Sequence, residues 1–142
     1  METIDKQHIL NRIDVGTKRI NDLYTLIEKW LSTTNNYRLV KSKSVVLKDN
    51  LLQNYGISKI QLPAADIYKN NTLLASLKPK GLWVIGANLR IDLISRSKLV
   101  FLRDESKDQE KPKWKIIHDK NRQEITTLSE KNFLKVLNRI NK

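Results

Sequence analysis

The chain has 142 residues, with 27 Lys and Arg against 15 Asp and Glu, a formal net charge of +12, and no cysteine. That length suits one domain whose core needs no covalent staple, and the absence of cysteine excludes disulfides, thiolate nucleophiles and cysteine-based zinc sites while fitting a reducing compartment. The start, "METIDKQHIL", lacks the basic-then-apolar layout of a secretory signal, and the longest apolar run, "LWVIGA", is far short of the roughly 18 residues a membrane helix needs, so a cytoplasmic protein without a membrane span is expected.

Ile9, Ile13, Ile20, Leu23, Tyr24, Ile27, Trp30 and Leu31 recur at helical spacing, which predicts one long amphipathic helix within residues 1–34, over about 4–32. Gly16 falls on the same stripe, where it either kinks the helix or admits a close neighbour. "STTNN" at Ser32–Asn36 ends it. The segment "YRLVKSKSVVL", Tyr37 to Leu47, alternates as a strand does, and "KDNLLQNYG" suggests a short helical turn near 49–56 stopped by Gly56. Pro63 is read as closing a link.

From Ala64 to His118 the pattern is a β-meander. "ADIYK" and "TLLASLK" flank Asn70-Asn71, a pair that tolerates the positive φ of a tight turn. "KPKG" reads as a proline turn ending at Gly81, followed by "LWVIG", "RIDLIS", "KLVFLR", a polar loop "DESKDQEKP", and "KWKIIH". Thr127-x-x-Glu130 has the form of a capping box before Phe133, Val136, Leu137 and Ile140, which predicts a C-terminal helix over about 128–141. The expected fold class is therefore α+β in a single domain. It comprises a long N-terminal helix, a mostly antiparallel meander of about five to seven strands over 37–118, and a C-terminal helix.

Charge is the main functional clue. Residues 1–34 are neutral, with five bases and five acids, whereas 35–65, 66–104 and 105–142 each carry +4. A basic body, as opposed to a basic tail, attracts polyanions. Strand alternation makes plausible a wet sheet face bearing Arg90, Lys98, Lys113 and Lys115, with Lys78 and Lys80 at its edge in the proline turn. Such cations suit phosphates. In "KLVFLR" the same alternation groups Arg103 with Leu99 and Phe101 and sets Lys98 with Val100 and Leu102. Trp114, between two lysines, is the candidate base stacker; Trp83, Tyr68 and Tyr37 are weaker ones.

"RIDLISRSKLVFLRDESK" resembles the motif region of restriction-endonuclease-like nucleases, the PD-(D/E)xK group. The resemblance implies that Asp92, together with an acid-x-Lys triplet after the next strand, would hold a divalent metal. It covers fewer than twenty residues, and the triplet register reads Arg103-Asp104-Glu105, with an arginine where the metal-binding acid should stand; Glu105-Ser106-Lys107 restores the pattern only in the loop. On the residues themselves, Asp92 paired with Arg90 or Lys115 on the sheet surface accounts for the same aspartate.

His8 and His118 are far apart, there is no nucleophile elbow, and the four glycines are scattered. No catalytic constellation, metal site or cofactor is read. The leading expectation is a small accessory protein that binds DNA or RNA mainly through backbone phosphates. The alternatives are an antitoxin-like or immunity-like module for an acidic protein partner, and a degenerate or active metal nuclease. The apolar stripe of the first helix also offers a surface for a homodimer or a partner helix.

Overall fold

A computed structural model describes residues 6–34, 36–47, 53–57, 59–81, 89–96, 98–106, 110–118 and 124–140. Helix α1 spans Lys6–Ser32 and runs through Gly16 as one continuous helix. Of its apolar stripe, Ile9, Ile20, Leu23, Tyr24, Ile27 and Leu31 are buried, and Ile13 and Trp30 pack against the core partly covered. Its end is capped as the polar run predicts. The hydroxyls of Ser32, Thr33 and Thr34 donate to the carbonyls of Lys29, Trp30 and Leu31, each at 2.7–2.8 Å, satisfying acceptors that the last helical turn leaves open.

Among the described residues seven strands follow: β1 Tyr37–Leu47, β2 Ile60–Lys69, β3 Thr72–Gly81, β4 Leu89–Ile94, β5 Leu99–Asp104, β6 Trp114–His118 and β7 Ile125–Thr127. They form one sheet in the order β1 to β7, every neighbouring pair antiparallel. The β2–β3 turn uses Asn70 at φ 56°, the left-handed conformation expected of that asparagine pair. Helix α2, Glu130–Ile140, buries the predicted Phe133, Val136, Leu137 and Ile140.

Both helices contribute to one apolar cluster with Leu39, Leu62, Ile67, Leu77, Ile91, Leu93, Val100, Leu102 and Ile116. They therefore cover a single face of the sheet, and the opposite face is left to the other half of each strand's residues. The Phe133 ring lies 5.9 Å from that of Trp30, and Tyr37 donates to Asn138 Oδ1 at 2.8 Å, so α2 is fixed beside the C-terminal end of α1.

Three boundaries differ from the sequence expectations. Pro63 lies inside β2 and the "KPKG" segment lies inside β3, so neither is a link or turn. The register explains how both prolines are tolerated. The β2–β3 ladder runs from Lys69–Thr72 to Ala65–Leu77, and the second step beyond it would set Pro63 opposite Pro79, neither of which has an N–H to give. The ladder stops there, while β2 goes on pairing with β1 at Pro63–Ser44 and β3 with β4 at Pro79–Ile91. Tyr24 of α1 fills the gap: its hydroxyl donates to the Pro63 carbonyl at 2.9 Å and, more weakly, to the Leu77 carbonyl at 3.5 Å, and burial raises its pKa well above the usual phenol range.

The third difference is β7, which the sequence left outside the sheet; it also takes Thr127 away from the helix cap. Ser129 caps α2 in its place, accepting from the Asn132 N–H at 3.2 Å. The expected short helical turn near 49–56 ends at Gly56 as read from the sequence: Gln53 is helical, the Gly56 N–H donates to the Gln53 carbonyl, and Gly56 has φ 77°; residues 48–52 of that expectation lie outside the described residues. Among the described residues no helix is long and apolar enough to cross a membrane.

Candidate nucleic-acid interface

The register shows which charges share the face turned away from the helices. Arg90 pairs with Arg103, and Arg103 with Lys115, so three cations stand directly opposite one another across β4, β5 and β6. Adjacent strands are roughly 4.8 Å apart, and like charges in that position repel. One residue pair along the strands runs the row Lys78, Asp92, Phe101, Ile117 and Ile125. Toward the β1 edge the same face carries Asp66 and Ser76, and beyond them Arg38, Tyr68 and Leu73.

Part of this charge is internally balanced. Arg90 Nε donates to Asp92 Oδ1 at 2.8 Å, and its guanidinium carbon lies 4.0 Å from the centroid of the Phe101 ring. Arg103 Nη2 donates to Glu105 Oε1 at 2.7 Å. Lys43 Nζ stands 2.8 Å from Asp66 Oδ2, and Ser76 donates to Asp66 Oδ1 at 2.7 Å. Burial on its own raises the Asp66 pKa, but the hydrogen bonds from Lys43 and Ser76 and the charges of Lys43 and Lys78 outweigh it and hold the carboxyl below its ordinary value. The Asp66 hydrogen bond and charge in turn raise Lys43.

Three cations of this face, Arg38, Lys78 and Lys115, have no carboxylate within ion-pair distance among the described residues. Lys115 Nζ donates only to Thr127 Oγ1 at 3.1 Å, and Arg38 lies 5.1 Å from the centre of the Tyr68 ring.

The Asp66 cluster has a testable pH signature. A carboxyl whose folded pKa is depressed contributes stability that is present above its unfolded value, near 3.9, and is lost as pH falls through the folded value. The wild type should therefore melt higher than Asp66→Asn at pH 7, and the gap should close progressively as pH falls below about 4. A gap independent of pH would show that the Asp66 charge contributes nothing.

The expected site residues do not all converge. Lys78, Arg90 and Lys115 share the open face. Lys78 lies within β3 and not in a turn, and Lys80 is the extra residue where the β3–β4 register shifts between Pro79 and Gly81. Lys98 stands in the Ser95–Lys98 turn before β5, outside the paired rows. Lys113 precedes β6, with its side chain 3.6 Å from Glu110 and its N–H donated to Asp104. Trp114 alternates with Lys115 onto the helix side and packs against the main core, so it is not a base platform on this face. Trp83 lies outside the described residues.

Arg103 is the residue that sequence reasoning left out of the face. Both alternating sets in "KLVFLR" are apolar, so hydrophobicity could not say which one faces the helices. The signal was in the turn: once Ile94 is paired with Leu99, Arg90 must meet Arg103.

In the nuclease-like motif, Arg103 stands in the acid's place and bonds Glu105, and Lys107 of the Glu105-Ser106-Lys107 alternative lies outside the described residues. Asp92 faces away from the helices, 3% exposed and bonded to Arg90. Asp104 pairs with Leu89 and faces the helices, fully buried. The two carboxylates lie on opposite sides of the sheet and cannot share one ion. Among the described residues no group of three His, Asp or Glu side chains could hold a metal.

Asp104 instead forms the centre of a polar cluster that the sequence did not announce. Arg19 of α1, 7% exposed, donates through Nη1 to Asp104 Oδ2 and to Ser106 Oγ, and through Nη2 to the Glu110 carbonyl. Asp104 Oδ1 also accepts the N–H groups of Ser106 and Lys113, both at 2.9 Å, and the Ser106 hydroxyl at 2.7 Å. The cluster ties both ends of the β5–β6 connection to α1. A sequence signal was available, since Arg19 sits on the helix's apolar stripe, between Gly16 and Leu23. A cation there needs a buried acid.

Comparison of the chain with protein-family models, with curated proteins and with solved structures finds no match.

Proposed function

We propose that this protein binds nucleic acid through the sheet face opposite its helices, mainly by contact with backbone phosphates. One observation carries the reading. A single face holds Arg38, Lys43, Lys78, Arg90, Arg103 and Lys115, and three of these, Arg38, Lys78 and Lys115, have no carboxylate partner among the described residues. Two more are held in place by their partners, Arg90 by Asp92 and Arg103 by Glu105, so their guanidinium groups are positioned before any ligand arrives, which lowers the ordering cost of binding. Planar guanidinium groups suit phosphate oxygens, and the repulsion among neighbouring cations falls when an anion lies across them.

Fluorescence anisotropy with labelled oligonucleotides over a salt series tests the reading. Each phosphate contact contributes about −0.9 to the slope of log K against log[salt] on B-DNA and about −0.7 on single strands. Three to six contacts therefore give a slope between about −2 and −5, with binding retained at physiological salt. A complex that vanishes above low salt would reject this face as a nucleic-acid site and turn attention to an acidic protein partner.

A further inference from the structure

The open face is not a plain bed of cations. Two of its guanidinium groups lie over aromatic rings, Arg90 over Phe101 at 4.0 Å and Arg38 over Tyr68 at 5.1 Å. In each pair the ring supports one side of the guanidinium; Arg38 is exposed and the Arg90 side chain is 31% exposed. Apolar side chains border both. Leu73, opposite Tyr68, is 50% exposed, Ile125 at the far edge is 46% exposed, and Ile94 and Leu99 are half-buried in the row beyond Phe101.

Resting on the nucleic-acid reading above, we infer that this face selects single-stranded nucleic acid over duplex. A duplex keeps its bases stacked on one another and offers the face only its backbones, so Leu73, Leu99 and Ile125 gain nothing from it. A single strand has free base faces, and these stack on guanidinium planes as well as on aromatic rings. With its phosphates along Lys78, Arg103 and Lys115, such a strand lies across the β-strands. Its bases reach Arg90 and the apolar rows on one side, and Arg38 receives a base toward the β1 edge. The charge sets the anionic class of ligand, and the supported guanidinium groups beside exposed aliphatic surface set the single-stranded form.

The test uses the full chain and three fluorescein-labelled probes of equal phosphate number: a mixed-sequence single strand, a duplex of half its length, and an abasic strand. Anisotropy is read at one salt concentration near physiological. The single strand should bind about tenfold tighter than both others, the scale expected of one or two stacked bases. Arg38→Lys keeps the charge and loses the plane; it should weaken single-strand binding about threefold or more at an unchanged salt slope. If the abasic strand or the duplex binds as tightly as the single strand, the inference is overturned and the phosphate reading stands. If none of the three binds while polyglutamate does, both are overturned.

Discussion

Replacing Asp104 with Ala should cost about 3–5 kcal/mol of folding stability, the scale measured when one partner of a buried ion pair is removed. The side chain is fully buried and collects four hydrogen bonds, from Arg19, the Ser106 N–H, the Ser106 hydroxyl and the Lys113 N–H. Its loss takes the carboxylate away from the buried Arg19 guanidinium, which also donates to the Ser106 hydroxyl and the Glu110 carbonyl. For a chain of this size the loss corresponds to a fall in melting temperature on the order of 10–15 °C. The double variant Arg19→Met, Asp104→Leu removes both charges together and should be clearly less destabilised than the two single changes summed. Urea unfolding of the three variants measures the coupling. A single Asp104→Ala change worth under about 1 kcal/mol would mean that the cluster does not hold α1 to the β5–β6 connection.

Replacing Lys78 and Lys115 together with Gln should weaken nucleic-acid binding by on the order of tenfold or more and make the salt slope shallower by about 1.5–2, two phosphate contacts having been lost. Neither residue lies within ion-pair distance of a carboxylate among the described residues, and a neutral amide puts no new acid beside Asp66 and Asp92, near which Lys78 stands. Arg90, by contrast, neutralises the buried Asp92 and covers Phe101, so its replacement would confound binding with stability. The folded state of the double variant is checked by its denaturation midpoint, which should stay within about 1 kcal/mol of the wild type, as surface changes usually do. Unaltered affinity in the folded double variant would remove this face from the reading.

The two helices and the meander were legible because their signals are local. Helical spacing selected Ile20, Leu23, Ile27, Phe133 and Leu137, all of them buried, and Asn70-Asn71 specified its own turn. The prolines misled because a local reading treats proline as punctuation. In the folded sheet, Pro63 and Pro79 stop a ladder that neither could continue, and that fact depends on which strands are neighbours. The site was partly legible for the same reason. Alternation placed Arg90 and Lys115 on one face, but assigning Arg103 required the pairing partner, and assigning Trp114 to the core required knowing where the helices lie. The Arg19–Asp104 contact joins residues 85 positions apart, and from sequence only the odd position of Arg19 on an apolar stripe pointed to it.

The strand order has a kinetic consequence. Because each strand pairs with its successor in the chain, the sheet can grow by closing one short loop at a time. Mean sequence separation among its pairings is low for so much β-structure, a property that goes with rapid folding. The long-range closures are those of α1: Arg19 to Asp104, and Trp30 to Phe133. Helix α1 is synthesised before the sheet, yet its apolar stripe gains its full cover only when β5 and α2 have emerged. The cover of α1 is therefore completed by late-made segments, and the buried ion pair is among the contacts that complete it.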